Sequence, residues 1–217
     1  MILTKYIFDF DGTLVDSMPI WTEKMLRILD REGIRYSKKL IKKITPLGDI
    51  GTAKYFKSEL GVKASINEML CEMNDFAFNK YRDSIHLKCG VLEYLTILKQ
   101  KGYSLNILTA SPHTLVDLCL RNNGVYDLFD NIWSSEDFGR SKDDPRIFQD
   151  VTRELTAEPC EIVLFDDNIN AIRAASEIGI YTVGVYDESG DVFKDEMMKI
   201  ANTYISSFTD SSSLARL

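Results

Sequence analysis

The chain opens on a short apolar run, Tyr6-Ile7-Phe8 with Ile2 and Leu3 ahead of it, that breaks into acids at Asp9 and Asp11. An unbroken run of this length suits a strand buried on both faces of a parallel sheet. Beyond Ser17 the period changes. Met18, Trp21, Met25 and Ile28 recur at the spacing of one helix face, and Gly33 supplies a stop. Ser37 caps a short helix that turns Leu40, Ile41 and Ile44 inward and ends at Pro46. A loop over 46–51 (PLGDIG) precedes a helix marked by Ala53, Phe56 and Leu60 and closed by Gly61. Ser65 with Glu68 three residues later is a capping box, opening a long helix with Met69, Met73, Phe76 and Ala77 on one face. Between residues 17 and 84 no stretch reads convincingly as a strand.

From Gly90 onward, helix and strand patterns alternate. Val91, Leu92, Leu95 and Leu98 predict a helix ending at Gly102, and SLNILT (104–109) predicts a strand. A helix with Leu115, Leu118 and Cys119 stops near Gly124, and a short strand follows at Ile132 and Trp133. After a polar loop to Pro145 come a helix with Phe148, Val151 and Leu155, a strand over 161–165, a helix closing at Gly179 and a strand over 181–185. A last helix covers 191–201, and the closing SSFTDSSSLARL reads as weakly ordered at its end. Such alternation means a parallel sheet with helices on both faces. Right-handed crossovers then bring every strand's C-terminal end to one edge. The predicted architecture is a doubly wound α/β core, residues 1–16 and 87–217, interrupted by an all-helical insert, residues 17–86. Both connections to the insert leave beside the same strand ends, so it is placed to close over that edge and exclude water as a lid.

The chain has 217 residues, 45% of them hydrophobic, and 5 prolines, enough for a proper core. Its 33 acidic residues exceed its 26 basic ones, for a net charge of -7. With no Lys/Arg-rich block, nucleic acid and anionic membrane are poor partners. The longest apolar runs are strand-sized, so no span of a bilayer is expected. Cys71, Cys89, Cys119 and Cys160 show no C-x-x-C spacing, and the first strand begins without a signal-like apolar stretch. Reduced thiols and a cytoplasmic location are the expectation. The pattern sets no oligomeric state.

Four strand ends, or the loops just beyond them, carry polar residues able to converge. Asp9 and Asp11 lie two apart, so both carboxylates of an extended backbone point to one side, and Gly12 lets the chain bend away. Two carboxylates there repel unless a cation sits between them; the plainer reading is a solvated Asp-Gly turn. Thr109 ends an apolar strand, where its hydroxyl and the N–H groups of Ala110 and Ser111 suit phosphate oxygens or, equally, a plain helix cap. Lys142 lies between elements, where a compact ammonium neutralises a carboxylate and a phosphate together or is simply solvated. Asp166 and Asp167 end the run IVLF, and a helix cap accounts for only one of them. His86 and His113 lack a second ligand at metal spacing and read as surface or packing residues.

The stretch Asp9-Phe10-Asp11-Gly12-Thr13 resembles the first motif of the haloacid dehalogenase superfamily of phosphotransferases. Lys142 in KDDP resembles its third motif, usually Lys-Pro-x-Pro, with Asp143 in place of the first proline. The pair Asp166-Asp167 resembles the fourth, in the branch with adjacent acids found in sugar-phosphate phosphatases and mutases. By position, size and helical character, the insert is similar to the small cap of the phosphoglycolate phosphatase and β-phosphoglucomutase group. The resemblance implies a phosphatase acting on a small phosphate ester, with Asp9 as nucleophile and Asp11 as acid and base. It implies Mg²⁺ held by Asp9, the Asp11 carbonyl and Asp167, with Asp166 direct or through water, and phosphate held by Gly12, Thr109, Ala110, Ser111 and Lys142. A phosphomutase is the nearest alternative, but Trp21 stands where the mutase carries a cap histidine. A non-catalytic phosphate binder is the alternative from another class. Leu47, Asp49 and Thr52 of the insert are candidates for selectivity, Asp49 favouring a sugar or polyol leaving group over an anionic one.

Overall fold

The apolar N-terminal run becomes strand β1 (Lys5–Phe8), with Tyr6, Ile7 and Phe8 fully buried, in the computed structural model, which describes residues 3–210. Ile2 and residues 211–217 lie outside the described residues. β1 sits mid-sheet between β2 (Ser104–Thr109) and β4 (Ile162–Asp166), parallel to both. Strands β3 (Asn131–Ser134), β5 (Tyr181–Val185) and β6 (Thr203–Ile205) complete an all-parallel sheet of order β3-β2-β1-β4-β5-β6. The order reverses between β1 and β4, the kind of crevice where open α/β sheets bind ligands. Phe8 pairs in register with Ile107 and Phe165, so the residues just beyond this row, Asp9 and Asp166, stand side by side.

Side-chain alternation splits the core between two faces. Ile7, Ile162 and Leu164 join Ile147, Phe148, Val151, Ile169 and Ile172 from helices α7 (Pro145–Glu154) and α8 (Ile169–Glu177). On the other face Phe8 stacks on Phe165 with ring centroids 4.8 Å apart, and Phe165 stacks on Phe208 at 5.7 Å. Phe208 is therefore anchored, although it lies in the polar closing segment. Helices α5 (Val91–Gln100) and α6 (His113–Asn122) follow the sequence pattern, except that Leu92 is exposed while Tyr94 faces inward. The last helical segment divides into a 3-10 stretch, Glu188–Phe193, and α9 (Lys194–Ile200), after which the short strand β6 adds an edge that the sequence reading lacks.

Contacts divide the chain into two compact units, the residues to Asp16 with those from His86 onward, and Ser17–Ile85. The second is wholly helical: α1 (Met18–Arg31), α2 (Lys38–Ile44), α3 (Gly48–Glu59) and α4 (Ile66–Asp83) enclose Met25, Ile28, Ala53, Phe56, Met69 and Met73. The expected loop over 46–51 is replaced by a 3-10 turn, Thr45–Leu47, running straight into α3. Two bonds draw the helix start in: Lys24 Nζ lies 2.7 Å from Asp49, and the buried Thr52 hydroxyl donates to the Ile44 carbonyl at 3.1 Å. Among the described residues no helix is long and apolar enough to cross a membrane.

Candidate active site

The site is built where β1 ends against β4. The Asp9 N–H donates to the Phe165 carbonyl at 2.8 Å, holding the two strands together one residue past the ladder. Lys142, in the turn that precedes α7, reaches both neighbours: its Nζ lies 2.6 Å from Asp9 Oδ1 and 2.8 Å from Asp166 Oδ2, with all three side chains buried. The other Asp166 oxygen accepts the Asn168 N–H at 2.8 Å, while Asn168 itself caps α8. Asp166 is thus fixed from two sides.

Asp167 is tied to the acidic turn. The Thr13 hydroxyl donates to Asp167 Oδ1 at 3.0 Å and accepts the Asp167 N–H at 3.1 Å. Gly12, at φ +76°, makes this approach possible, since a Cβ there would lie 2.5–2.9 Å from the three atoms of the Asp167 carboxylate. Such positive φ is strained for any side chain. The Asp11 side chain turns elsewhere and accepts from the Ser111 hydroxyl. Ser111 in turn donates its N–H to the buried Thr109 hydroxyl at 3.1 Å. Thr109 therefore closes the turn at the end of β2; α6 has Pro112 at its N-cap and no side-chain cap. Ala110 is exposed beside it.

Three carboxylates, Asp9, Asp166 and Asp167, bring oxygens within 4.8 Å of one another, and Lys142 is the cation bonded among them. Burial pushes Asp9 up to about 6, with Lys142 pulling it down and Asp166 pushing it further up. Burial also lifts Asp167 well above the usual carboxylate range, helped by Asp9 and Asp166 and opposed by Lys142 and Thr13. For Lys142 burial works against the charge, but Asp166 and Asp9 outweigh it and raise its pKa. Three carboxylates facing a single ammonium, with only hard oxygens among the metal donors, fit a small divalent cation such as Mg²⁺.

Sequence reasoning did not find Lys88. Its ammonium donates to the Gly12 carbonyl, to the Tyr186 carbonyl at 3.0 Å and to Asp187 at 2.8 Å. A lone lysine between Leu87 and Cys89 carries no local signal. Of the other candidates, Asp49 is paired with Lys24, Thr52 is a packing residue, and Leu47 is exposed. His86 is exposed, and His113 pairs with Asp137 at 2.8 Å.

Residues 6–185 match the model of the family described as haloacid dehalogenase-like hydrolase. The chain is 28% identical over 181 residues to validoxylamine A 7'-phosphate phosphatase of Streptomyces hygroscopicus subsp. limoneus, covering 82% of this chain and 84% of that protein. It is 25% identical over 207 residues to hexitol phosphatase B of Escherichia coli O157:H7, covering 94% and 92%. In fold it is similar to a candidate β-phosphoglucomutase from Thermotoga maritima, with a TM-score of 0.86 and 23% identity over 99% of this chain and 100% of that one. The match of the family model across most of the chain means that this protein belongs to the haloacid dehalogenase-like hydrolases.

Proposed function

We propose that the protein is a magnesium-dependent phosphatase that hydrolyses a small phosphorylated metabolite, of the sugar or polyol phosphate class, through a phosphoryl group carried on Asp9. The observation that carries this reading is the buried trio Asp9, Lys142 and Asp166, with Asp167 alongside and Asp11 held apart on Ser111. The names of the phosphatase relatives support the substrate class.

Asp9 attacks phosphorus as the bond to the ester oxygen breaks, and the Asp11 proton goes to the leaving alkoxide. Asp11, now a carboxylate, takes a proton from water as that water displaces Asp9 and releases inorganic phosphate. The Ser111 hydroxyl holds the Asp11 carboxyl in one orientation for both transfers. Lys142 keeps its proton and screens the approach of a carboxylate to a phosphate dianion. Thr109 shapes the turn at which the Ala110 N–H meets the phosphate oxygens, the Ser111 and Gly12 N–H groups being given to the Thr109 hydroxyl and the Val15 carbonyl. Asp9, Asp167 and the Asp11 carbonyl, with Asp166 directly or through water, are the groups that would hold a magnesium ion, whose charge would further neutralise nucleophile and phosphate. Phosphatase is preferred to mutase because the Trp21 ring, by resemblance in the place of the mutase histidine, packs 3.9 Å from Lys24 Nζ and offers no proton shuttle.

The test is hydrolysis of an aryl phosphate and of a panel of metabolite phosphates with Mg²⁺. Asp9→Asn is expected to abolish turnover while circular dichroism and thermal melting stay near wild type; retained activity refutes the reading. Asp11→Asn is expected to slow esters with poor leaving groups most. Equal losses for activated and unactivated esters refute its acid role.

A further inference from the structure

Lys88 belongs to no motif, yet its three ammonium donors are spent on three acceptors from two remote segments: the carbonyl of Gly12, the carbonyl of Tyr186 and the carboxylate of Asp187. Its own backbone is fixed too, because the Lys88 N–H donates to the Leu14 carbonyl at 2.8 Å. Asp187 is buried, and its other oxygen accepts from the Ser189 N–H at 2.9 Å and the Ser189 hydroxyl at 2.6 Å. One cation thus joins the turn after β1 to the loop after β5.

Both joined segments touch Asp167. On one side, the carbonyl gripped by Lys88 belongs to the peptide linking Gly12 to Thr13, and Thr13 holds the Asp167 carboxylate and N–H. On the other, the loop organised by Asp187 passes so close that a Cβ on Gly190 would lie 3.6 Å from the Asp167 carbonyl oxygen. Asp167 has its carboxylate among like charges at the cluster, so the surrounding frame must hold it there against repulsion.

The geometry points to Lys88, with Asp187, as a positioning pair that sets the Asp11–Thr13 turn and the Asp167 carboxylate in place for metal binding and phosphoryl transfer. This rests on the phosphatase reading above. Lys88 lies outside the reacting atoms and acts through Gly12 and Thr13. Outer groups of this kind are worth about 10- to 100-fold in metal affinity or activity when removed.

The experiment compares the full-length wild type, Lys88→Met and Asp187→Asn by Mg²⁺ titration calorimetry and by steady-state hydrolysis of an aryl phosphate, well below each melting temperature. Lys88→Met is expected to weaken Mg²⁺ binding about 10-fold or more and to lower kcat at saturating Mg²⁺ by a similar factor, with KM for the ester changed less than about threefold, since the group that positions is not one that binds substrate. A variant that merely melts earlier, with wild-type Mg²⁺ affinity and kcat, overturns the proposal. Should Lys88→Met fail to fold, Asp187→Asn decides, because it leaves Lys88 its two carbonyls while removing the anion; unchanged Mg²⁺ affinity there also overturns it. A wild type that hydrolyses no ester removes the phosphatase reading instead, and the Mg²⁺ affinities alone then judge the pair.

Discussion

Gly12 carries the tightest steric demand at the acidic turn. Gly12→Ala would force a methyl group to 2.5 Å from an Asp167 oxygen while holding alanine at φ +76°. The backbone conformation alone costs about 1–2 kcal/mol, and the carboxylate must also move off its Thr13 bond. The expected result is a lower melting temperature together with a loss of Mg²⁺ affinity, read by thermal denaturation and titration on the same sample. Asp9 makes a different prediction, about pH. Its carboxyl is pushed up to about 6; on the proposed mechanism only the ionised form attacks phosphorus, so kcat/KM is expected to fall as pH drops through that value. A Mg²⁺ ion held by Asp9, as proposed, would compete with the proton for the same oxygen. Raising Mg²⁺ is therefore expected to move the acid limb to lower pH; a limb that stays put across Mg²⁺ concentrations counts against Asp9 as a ligand. Without metal the sign of the stability effect is opposite to that of a salt-bridged acid. Between about 4, the unfolded value, and about 6, the folded protein binds more protons at Asp9, so this group's contribution to stability falls as pH rises.

At the scale of elements, the sequence exposed what local rules govern and hid what distant partners impose. The strand ends at Phe8 and Thr109 were legible, and that of β4 to within one residue, because buried parallel strands are largely apolar runs that give way to polar residues. The capping box at Ser65 and Glu68 was legible too, and both its bonds form. Ser65→Ala is expected to cost about 1 kcal/mol, seen as an earlier melt of the helical unit without change in Mg²⁺ affinity. The start of α3 misled, because Pro46, Gly48 and Gly51 are local turn signals, whereas the helix is drawn in by Asp49 bonding Lys24 and Thr52 bonding Ile44. Strand β6 escaped notice for the same reason. Its register depends on Asn202, whose side chain accepts the Thr182 N–H at 2.8 Å from across the sheet edge. In the site, motif order pointed to Asp9, Lys142 and Asp166, but the turning of Asp11 toward Ser111 and the grip of Lys88 on Gly12 are tertiary facts without a period or a cap to announce them.

For the whole molecule, the surplus of acid over base is spread widely, yet one small volume concentrates it: Asp9, Asp166 and Asp167 against Lys142. A divalent cation that binds only the folded arrangement stabilises it by mass action, about 2.7 kcal/mol at a hundredfold excess over Kd. In a chain of this size each kcal/mol moves the midpoint by about 2–4 °C, so saturating Mg²⁺ is expected to raise the melting temperature by roughly 5–10 °C relative to NaCl of equal ionic strength. Because the chain folds as two compact units, the rise belongs to the unit made of residues to Asp16 and from His86 onward. If the helical unit melts separately, its transition should stay where it was. Asp167→Asn should invert the pattern. Removing a carboxylate that its acidic neighbours repel is expected to raise the metal-free midpoint above that of the wild type, while most of the Mg²⁺-induced rise disappears. Scanning calorimetry of both proteins with and without Mg²⁺ reads the two signs at once, and a variant that loses metal-free stability yet keeps the full Mg²⁺ response would mean that the cation binds elsewhere.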